Sequence, residues 1–261
     1  MVVLAGCTAL GLGPGSPTPT ADATPDWPAE LPPGMSTANV TGPLDLVRAH
    51  TAALTGTSFT YRATITARTS TGIRTGSVSI VRRVGADGRF VHRMRVKGVV
   101  PAVVTNQRRV DAYSNGSFVI IRFRDQDQNR TLVTTSRESS IQPYDVVHKG
   151  QLYSMLSVTE PAVMGSLSRG GVTYLHVKGT DGSTAFGLTE ARNLSIEALV
   201  RPDGVVHRYA ISYYANDSDY TGWEGRLERQ VVYEDVGSTT VERPAWVSRQ
   251  RPNATKIPTG R

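Results

Sequence analysis

From residue 59 onward the chain alternates. Phe59, Tyr61, Ala63, Ile65 and Ala67 are interleaved with Thr60, Arg62, Thr64, Thr66 and Arg68, the period of two that a strand shows when one face is buried and the other is wet. Residues 75–84 and 89–97 continue the pattern, joined by Gly85-Ala86-Asp87-Gly88, a hairpin signal. Two shorter strands flank Asn115-Gly116, a dipeptide that favours a type I′ turn. The second of them, 118–124, leads through a polar loop to 130–135. Further strands are predicted at 172–178, 194–200 and 205–214, the last two paired across Arg201-Pro202-Asp203-Gly204. A final strand over 226–236 passes through Gly237 into 238–241. Two stretches break the alternation. Pro43 and Asp45 open a helix with Leu44, Val47, Thr51 and Leu54 on one face and Gly56 as its stop. A second helical interval is predicted at 144–156, after Pro143. The pattern predicts one α+β domain: a large curved antiparallel sheet of about ten strands with two short helical segments.

The N-terminus has a different texture. Residues 8–33 hold seven of the chain's 15 prolines, interleaved with Thr, Ser, Gly and Ala. Such a segment buries too little apolar surface to offset its ordering entropy, so it is expected to be an extended tether with a contour on the order of 80 Å. The expected organisation is a leader remnant (1–6), a tether (7–33), the β domain (34–248) and a basic C-terminal tail (249–261). The 261 residues contain one cysteine, which excludes an internal disulfide and any multi-cysteine metal site. No run of 18 apolar residues occurs, so no transmembrane helix is expected.

That cysteine closes Leu4-Ala5-Gly6-Cys7, which resembles residue for residue the lipobox of prokaryotic lipoproteins. The resemblance implies a diacylglyceryl group on the Cys7 thiol and removal of the preceding peptide. Only six residues precede Cys7 and none is charged, so the basic and apolar parts of the signal peptide are expected upstream of Met1. The implied location is the extracytoplasmic face of the cell membrane.

The order of parts extends the resemblance. Pro32-Pro33-Gly34, the helix end Ala52-Ala53-Leu54-Thr55-Gly56-Thr57-Ser58-Phe59-Thr60, and Tyr233-Glu234-Asp235-Val236-Gly237 with Thr240-Val241-Glu242-Arg243-Pro244-Ala245-Trp246 resemble surface lipoproteins of haloarchaea. These look like members of the LolA-like (LolA/LppX-type) group. The resemblance implies that the sheet is an incomplete, half-open barrel that cradles acyl chains beneath short helices, with a lipid or a lipoprotein acyl chain as ligand. Haloarchaeal proteins are strongly acidic. This chain has 29 Lys+Arg against 22 Asp+Glu, +7, and its first 42 residues hold no Lys or Arg. Actinobacterial lipoproteins of the same fold are the other source considered.

Alternation parity selects Tyr61, Ile65, Ile80, Met94, Ile120, Leu199, Tyr209, Ile211 and Tyr213 as candidates to line a cavity, although a filled core would alternate in the same way. Six of the seven asparagines (Asn39, Asn115, Asn129, Asn193, Asn216 and Asn253) begin N-x-[ST], so each is a glycan acceptor candidate on an exported surface. The type I′ turn is a second reason for Asn115 to be where it is. The five histidines show no pair at ligand spacing, and no cofactor, metal or catalytic residue is expected. His92 and His207, on alternating strand positions, could face a cavity together. Asp125, Asp127 and Asn129 alternate as in a calcium loop, without its glycine and terminal glutamate. Arg93, Arg95 and Lys97 line one strand face, and Arg122 and Arg124 repeat the theme. Such a face suits an anionic headgroup or polysaccharide, or simply discourages edge pairing. No RNP-type aromatic motif or recognition helix accompanies the charge, so no nucleic acid is expected. Two functions remain: a membrane-anchored, monomeric module binding a hydrophobic or amphiphilic ligand, and an envelope interaction element without one.

Overall fold

The computed structural model describes residues 27–100, 108–124, 129–135, 139, 141–186, 189–217 and 223–248. Two antiparallel meanders lie side by side in one sheet. The first comprises β1 (Phe59–Thr69), β2 (Arg74–Val84), β3 (Phe90–Gly98), β4 (Arg109–Ser114), β5 (Phe118–Arg124) and β6 (Asn129–Thr135). The second comprises β7 (Ala162–Arg169), β8 (Val172–Phe186), β9 (Thr189–Val200), β10 (Val206–Asp217) and β11 (Trp223–Glu234). The first strand pairs with the last, so the order is β6-β5-β4-β3-β2-β1-β11-β10-β9-β8-β7. Both β6 and β7 are edges and the sheet is not closed, as the resemblance to the LolA-like group implied.

Helix α1 (Pro43–Leu54) precedes β1, and α2 (Lys149–Val158) lies in the connection from β6 to β7. That connection joins the two outermost strands, so it has to cross a face of the sheet. A 3-10 turn at Asp145–Val147 leads into α2, and a short α3 (Ala245–Ser248) ends the described chain. On α1 the buried residues are Leu46, Val47, His50 and Leu54. Leu44, expected on the inner face, is 37% exposed. The buried stripe is rotated because Leu46 lies one turn before His50 and two before Leu54. Leu152, Met155 and Leu156 form the inner stripe of α2, which packs against β8, β9 and α1. A glycine admits this close approach, since a Cβ on Gly179 of β8 would lie 2.6 Å from the Thr159 hydroxyl.

Three local expectations are corrected. The strand at 238–241 is absent: Asp235 and Gly237 take positive φ (52° and 86°) and turn the chain out of β11. Strand β7 has no counterpart in the alternation, because its side chains are exposed or half-buried and its register breaks between Val163 and Gly165. The loop at Asn115-Gly116 is not a type I′ turn. Gly116 has φ 96° while Asn115 is not among the positive-φ residues, and the Asn115 side-chain oxygen accepts from the amides of Ser117 and Phe118.

Candidate functional site

The two faces of the sheet are now distinct. The inner face, under α1 and α2, carries Tyr61, Ala63, Ile65 and Ala67 on β1, with Arg82, Ile80 and Val78 opposite on β2. On β10 and β11 it carries Tyr209, Ile211 and Tyr213 beside Leu227, Arg229, Val231 and Tyr233. Of the nine cavity candidates, Tyr61, Ile65, Ile80, Met94, Tyr209, Ile211 and Tyr213 share this face. Ile120 and Leu199 do not. Ile120 packs with Tyr113 and Val247 in a separate cluster on the outer face, flanked by Trp246 and Val241. Leu199 is only half-buried, while its neighbours Ala198 and Val200 are core. Both strands carry consecutive apolar residues there, so alternation alone does not define which side faces in.

Two arginines sit in the inward register, and both reach the crossing connection. Arg229 donates from Nη2 to the Tyr61 hydroxyl at 2.9 Å and to His148 Nε2 at 2.6 Å, and from Nη1 to Gln151 Oε1. Arg82 donates from Nε to His92 Nδ1 at 3.2 Å and from Nη1 to the Gln142 carbonyl. A guanidinium only donates, so His148 Nε2 and His92 Nδ1 accept, and each ring carries its proton on the other nitrogen. Both imidazoles are therefore neutral. Burial, reinforced by Arg229, lowers the pKa of His148 to about 3; burial, reinforced by Arg82, lowers that of His92 to about 3. His50, on α1, is lowered to about 4 by burial, and its Nδ1 accepts from the Val206 amide.

His148 has left-handed backbone (φ 52°, ψ 36°) between the 3-10 turn and α2, a conformation costly for a side chain with a Cβ. Its hydrogen bonds to Tyr61 and Arg229 hold it there. The Tyr233 hydroxyl donates to the Val146 carbonyl at 2.7 Å, a third tie from the sheet to this connection. Burial pushes the Tyr209 and Tyr233 hydroxyls above their ordinary range, so they stay protonated. No carboxylate of the described residues pairs with Arg229, whose enclosed Nε has no hydrogen-bond partner. Its charge is balanced by hydroxyl, imidazole and amide dipoles alone.

Above this network, Thr51 of α1 and Tyr144, Val147, His148, Lys149, Gly150 and Gln151 line a cleft of about 410 Å³. Away from α2, Ile80, Met94, Val96, Phe123 and Leu132 are half-buried against the core, with Ile141 of the connection among them.

His92 and His207 do not face one another. His92 is buried on the inner face, while His207 is half-buried against Tyr174, with ring centroids 5.1 Å apart. The outer face carries Arg93, Arg95, Lys97, Arg122 and Arg124, as their alternation implied. Buried Asp111 accepts from Arg93, Arg109 and Arg122, and the Arg122 guanidinium lies 4.6 Å from the centroid of the Trp246 ring.

Among the asparagines, Asn39, Asn115 and Asn193 are exposed. The side chains of Asn129 and Asn216 lie outside the described residues, as do all of Asn253, Cys7, Asp125 and Asp127. Among the described residues, no group of three His, Cys, Asp or Glu side chains could hold a metal ion, and no helix is long and apolar enough to cross a membrane. Sequence reading passed over Arg82, His148 and Arg229. For Arg229 a signal was present, since it occupies the same parity as Leu227, Val231 and Tyr233.

No family model matches the chain, and no curated protein matches it. Solved structures similar to it include the following three. LprF from Mycobacterium bovis is 14% identical, with 79% of this chain and 98% of that one covered and a TM-score of 0.42. The lipoprotein LppX from Mycobacterium tuberculosis is 15% identical over 77% of this chain and 97% of that one, with a TM-score of 0.36. A LolA superfamily protein from Nitrosomonas europaea is 8% identical over 77% and 94%, with a TM-score of 0.27.

Proposed function

We propose that the domain binds a hydrophobic or amphiphilic molecule, a lipid or a lipoprotein acyl chain, on the inner face of its open sheet, and that a diacylglyceryl group on Cys7 holds it at the extracytoplasmic side of a membrane. The observation that carries this reading is the uneven cover of that face. A half-buried apolar row, Ile80, Met94 and Phe123 with Val96 and Leu132 beside it, is separated by strand β1 alone from the strand of an enclosed cation, Arg229, that has no carboxylate among the described residues. An apolar chain would complete the row, and an anionic group would give Arg229 the partner that a buried charge requires. Tyr61, Tyr209, Ile211 and Tyr213 lie on the inner face of β1 and β10, and Ile65, Ile80 and Met94 continue that face over β1, β2 and β3. On an exported protein, Asn39, Asn115 and Asn193 present their sequons to solvent.

Native mass spectrometry and solvent extraction of the purified chain test the reading. A co-purifying lipid is expected, and it should be lost in Met94→Asp with the circular dichroism spectrum unchanged. Recovery of no lipid from the unmodified chain would favour an envelope element without a small-molecule ligand. The anchor is tested by detergent partitioning and by the mass of the N-terminal peptide, compared between the unmodified chain and Cys7→Ser.

A further inference from the structure

The end of the sheet remote from α1 has a character of its own. Strand β1 runs down to it and β2 returns, so the tip of their hairpin projects there, beside the end of β3 and the start of β4. Ile73 in that tip is 68% exposed, and Val99, just past β3, is 66% exposed. Val99 is tied to Thr75, two residues past Ile73. The Val99 amide donates to the Thr75 carbonyl at 3.1 Å, and the Thr75 hydroxyl donates to the Val99 carbonyl at 3.2 Å. Gly98, with φ 68°, permits this, because a Cβ there would lie 2.2 Å from the Thr75 carbonyl oxygen. Two aliphatic side chains are thus held in water at one rim by the backbone.

Cations surround them. Residues 46–110 contain twelve Lys and Arg and a single acid, Asp87. Asp87 lies at the opposite end, in the β2–β3 turn, bound to Arg89. At the rim, Arg74, Arg95 and Lys97 are exposed and make no ion pair among the described residues. Among the described carboxylates toward this end, Asp111 holds Arg93, Arg109 and Arg122, Glu228 sits between Arg68 and Arg226, and exposed Glu224 lies at the start of β11, on the far side of β1 from β2 and β3. The half-buried inner row ends at this rim, where Ile65 and Val96 are each joined to Val78.

Exposed aliphatic residues scattered singly are ordinary on a protein surface. Two of them at one rim, beside cations that pair with no described carboxylate, match the layered chemistry of a bilayer surface, with anionic headgroups outside and hydrocarbon beneath. We propose that this rim docks on an anionic phospholipid bilayer, with Ile73 and Val99 entering the headgroup layer while Arg74, Arg95 and Lys97 pair with lipid phosphates. Docked in this way, the apolar row opens toward the membrane. The contact is separate from the Cys7 anchor and does not require a ligand on the inner face.

The test is co-sedimentation of the full chain carrying Cys7→Ser with vesicles of phosphatidylcholine, with and without phosphatidylglycerol. Binding is expected only to the anionic vesicles and should weaken with salt. Removing both cations in Arg74→Gln/Lys97→Gln should weaken it about 25-fold, about fivefold for each charge. Ile73→Ser/Val99→Ser should weaken it about tenfold, with net charge unchanged. Arg48→Gln/Arg83→Gln, the same charge change at the other end, should bind as the parent does. Equal losses from the two charge pairs, no loss from the serine pair, or retention on an anionic polysaccharide without vesicle binding would each overturn the proposal. Lipid extraction of the same preparations reports on the inner face separately, so the two readings fail independently.

Discussion

The two meanders share a sheet and differ in almost everything else. In β8–β10 the inner face is sealed: Leu175, Val177, Leu194, Ile196, Ala198, Tyr209 and Ile211 are each no more than 2% exposed. In β1–β6 the outer strands leave Ile80, Met94, Val96, Phe123 and Leu132 half-covered. Charge divides along the same line. Residues 59–135 hold fourteen Lys and Arg against four Asp and Glu, +10, whereas residues 162–234 hold seven against nine, −2. One helix accounts for the first contrast. The crossing connection carries α2, and α2 packs on β8 and β9, so the inner face of the outer strands in the other wing lacks a helical cover among the described residues. The lesson is that the covered wing supplies stability, and the exposed wing offers surface for other molecules.

Truncation in the core separates the wings most sharply. Leu175→Ala in the covered wing should cost about 3–4 kcal/mol, the range for a sealed leucine site that cannot collapse. Met94→Ala in the open wing should cost only about 1 kcal/mol, because the site is already partly solvated. Urea midpoints measure both. Equal costs would mean that the wings are equally packed.

Acid probes both wings at once. His50, His92 and His148 have folded pKa values of about 4, 3 and 3, each lowered chiefly by burial. A lowered pKa means that, below the ordinary imidazole value, the unfolded chain takes up protons that the folded chain refuses. Stability is therefore complete above about pH 6.5 and falls as the pH drops toward the folded values, by up to about 1.4 kcal/mol per unit for each ring. Chemical denaturation at a series of pH values would show the decline, and His92→Gln should remove about a third of its slope. A midpoint that stays flat through this window would mean that the rings are hydrated.

The outer face of the open wing should respond less. The Asp111 carboxyl is held below its usual range: burial opposes ionisation, and the hydrogen bonds and charges of Arg109 and Arg122 outweigh it. Asp111→Asn should cost about 2–3 kcal/mol, because three arginines would then face one another without a counter-charge. Glu228→Gln, in the exposed pairs with Arg68 and Arg226, should cost at most about 0.5 kcal/mol. Thermal melts of the two variants give the comparison, and a reversed order would show that Asp111 is better hydrated than its contacts imply.

What could be read without coordinates was local. Alternation marked the strands of the first meander to within a residue or two, because a half-buried strand must place apolar and polar side chains on opposite sides. Gly85 to Gly88, Pro43 and Gly56 punctuated the chain for reasons internal to a few residues. Strand β7 escaped because an edge strand with little buried surface need not alternate. Ile120 and Leu199 were assigned to the wrong face because a run such as Phe118-Val119-Ile120-Ile121 is apolar on both sides. The outer side becomes apolar only when Val241, Trp246 and Val247 return to cover it.

Read without coordinates, the chain already implied an antiparallel sheet with two helical interruptions. Only the tertiary structure decided that the first strand pairs with the last, that one helix seals one wing, and that Arg229, Tyr61, His148 and Gln151 meet beneath it. The physical reason is range. Strand alternation, turn residues and helix stops act over a few positions, whereas the Tyr61–His148 bond spans 87 residues and the Tyr61–Arg229 bond spans 168. An arginine that reads as one more exposed strand residue becomes the polar centre of the inner face once strands from both ends of the domain are brought together.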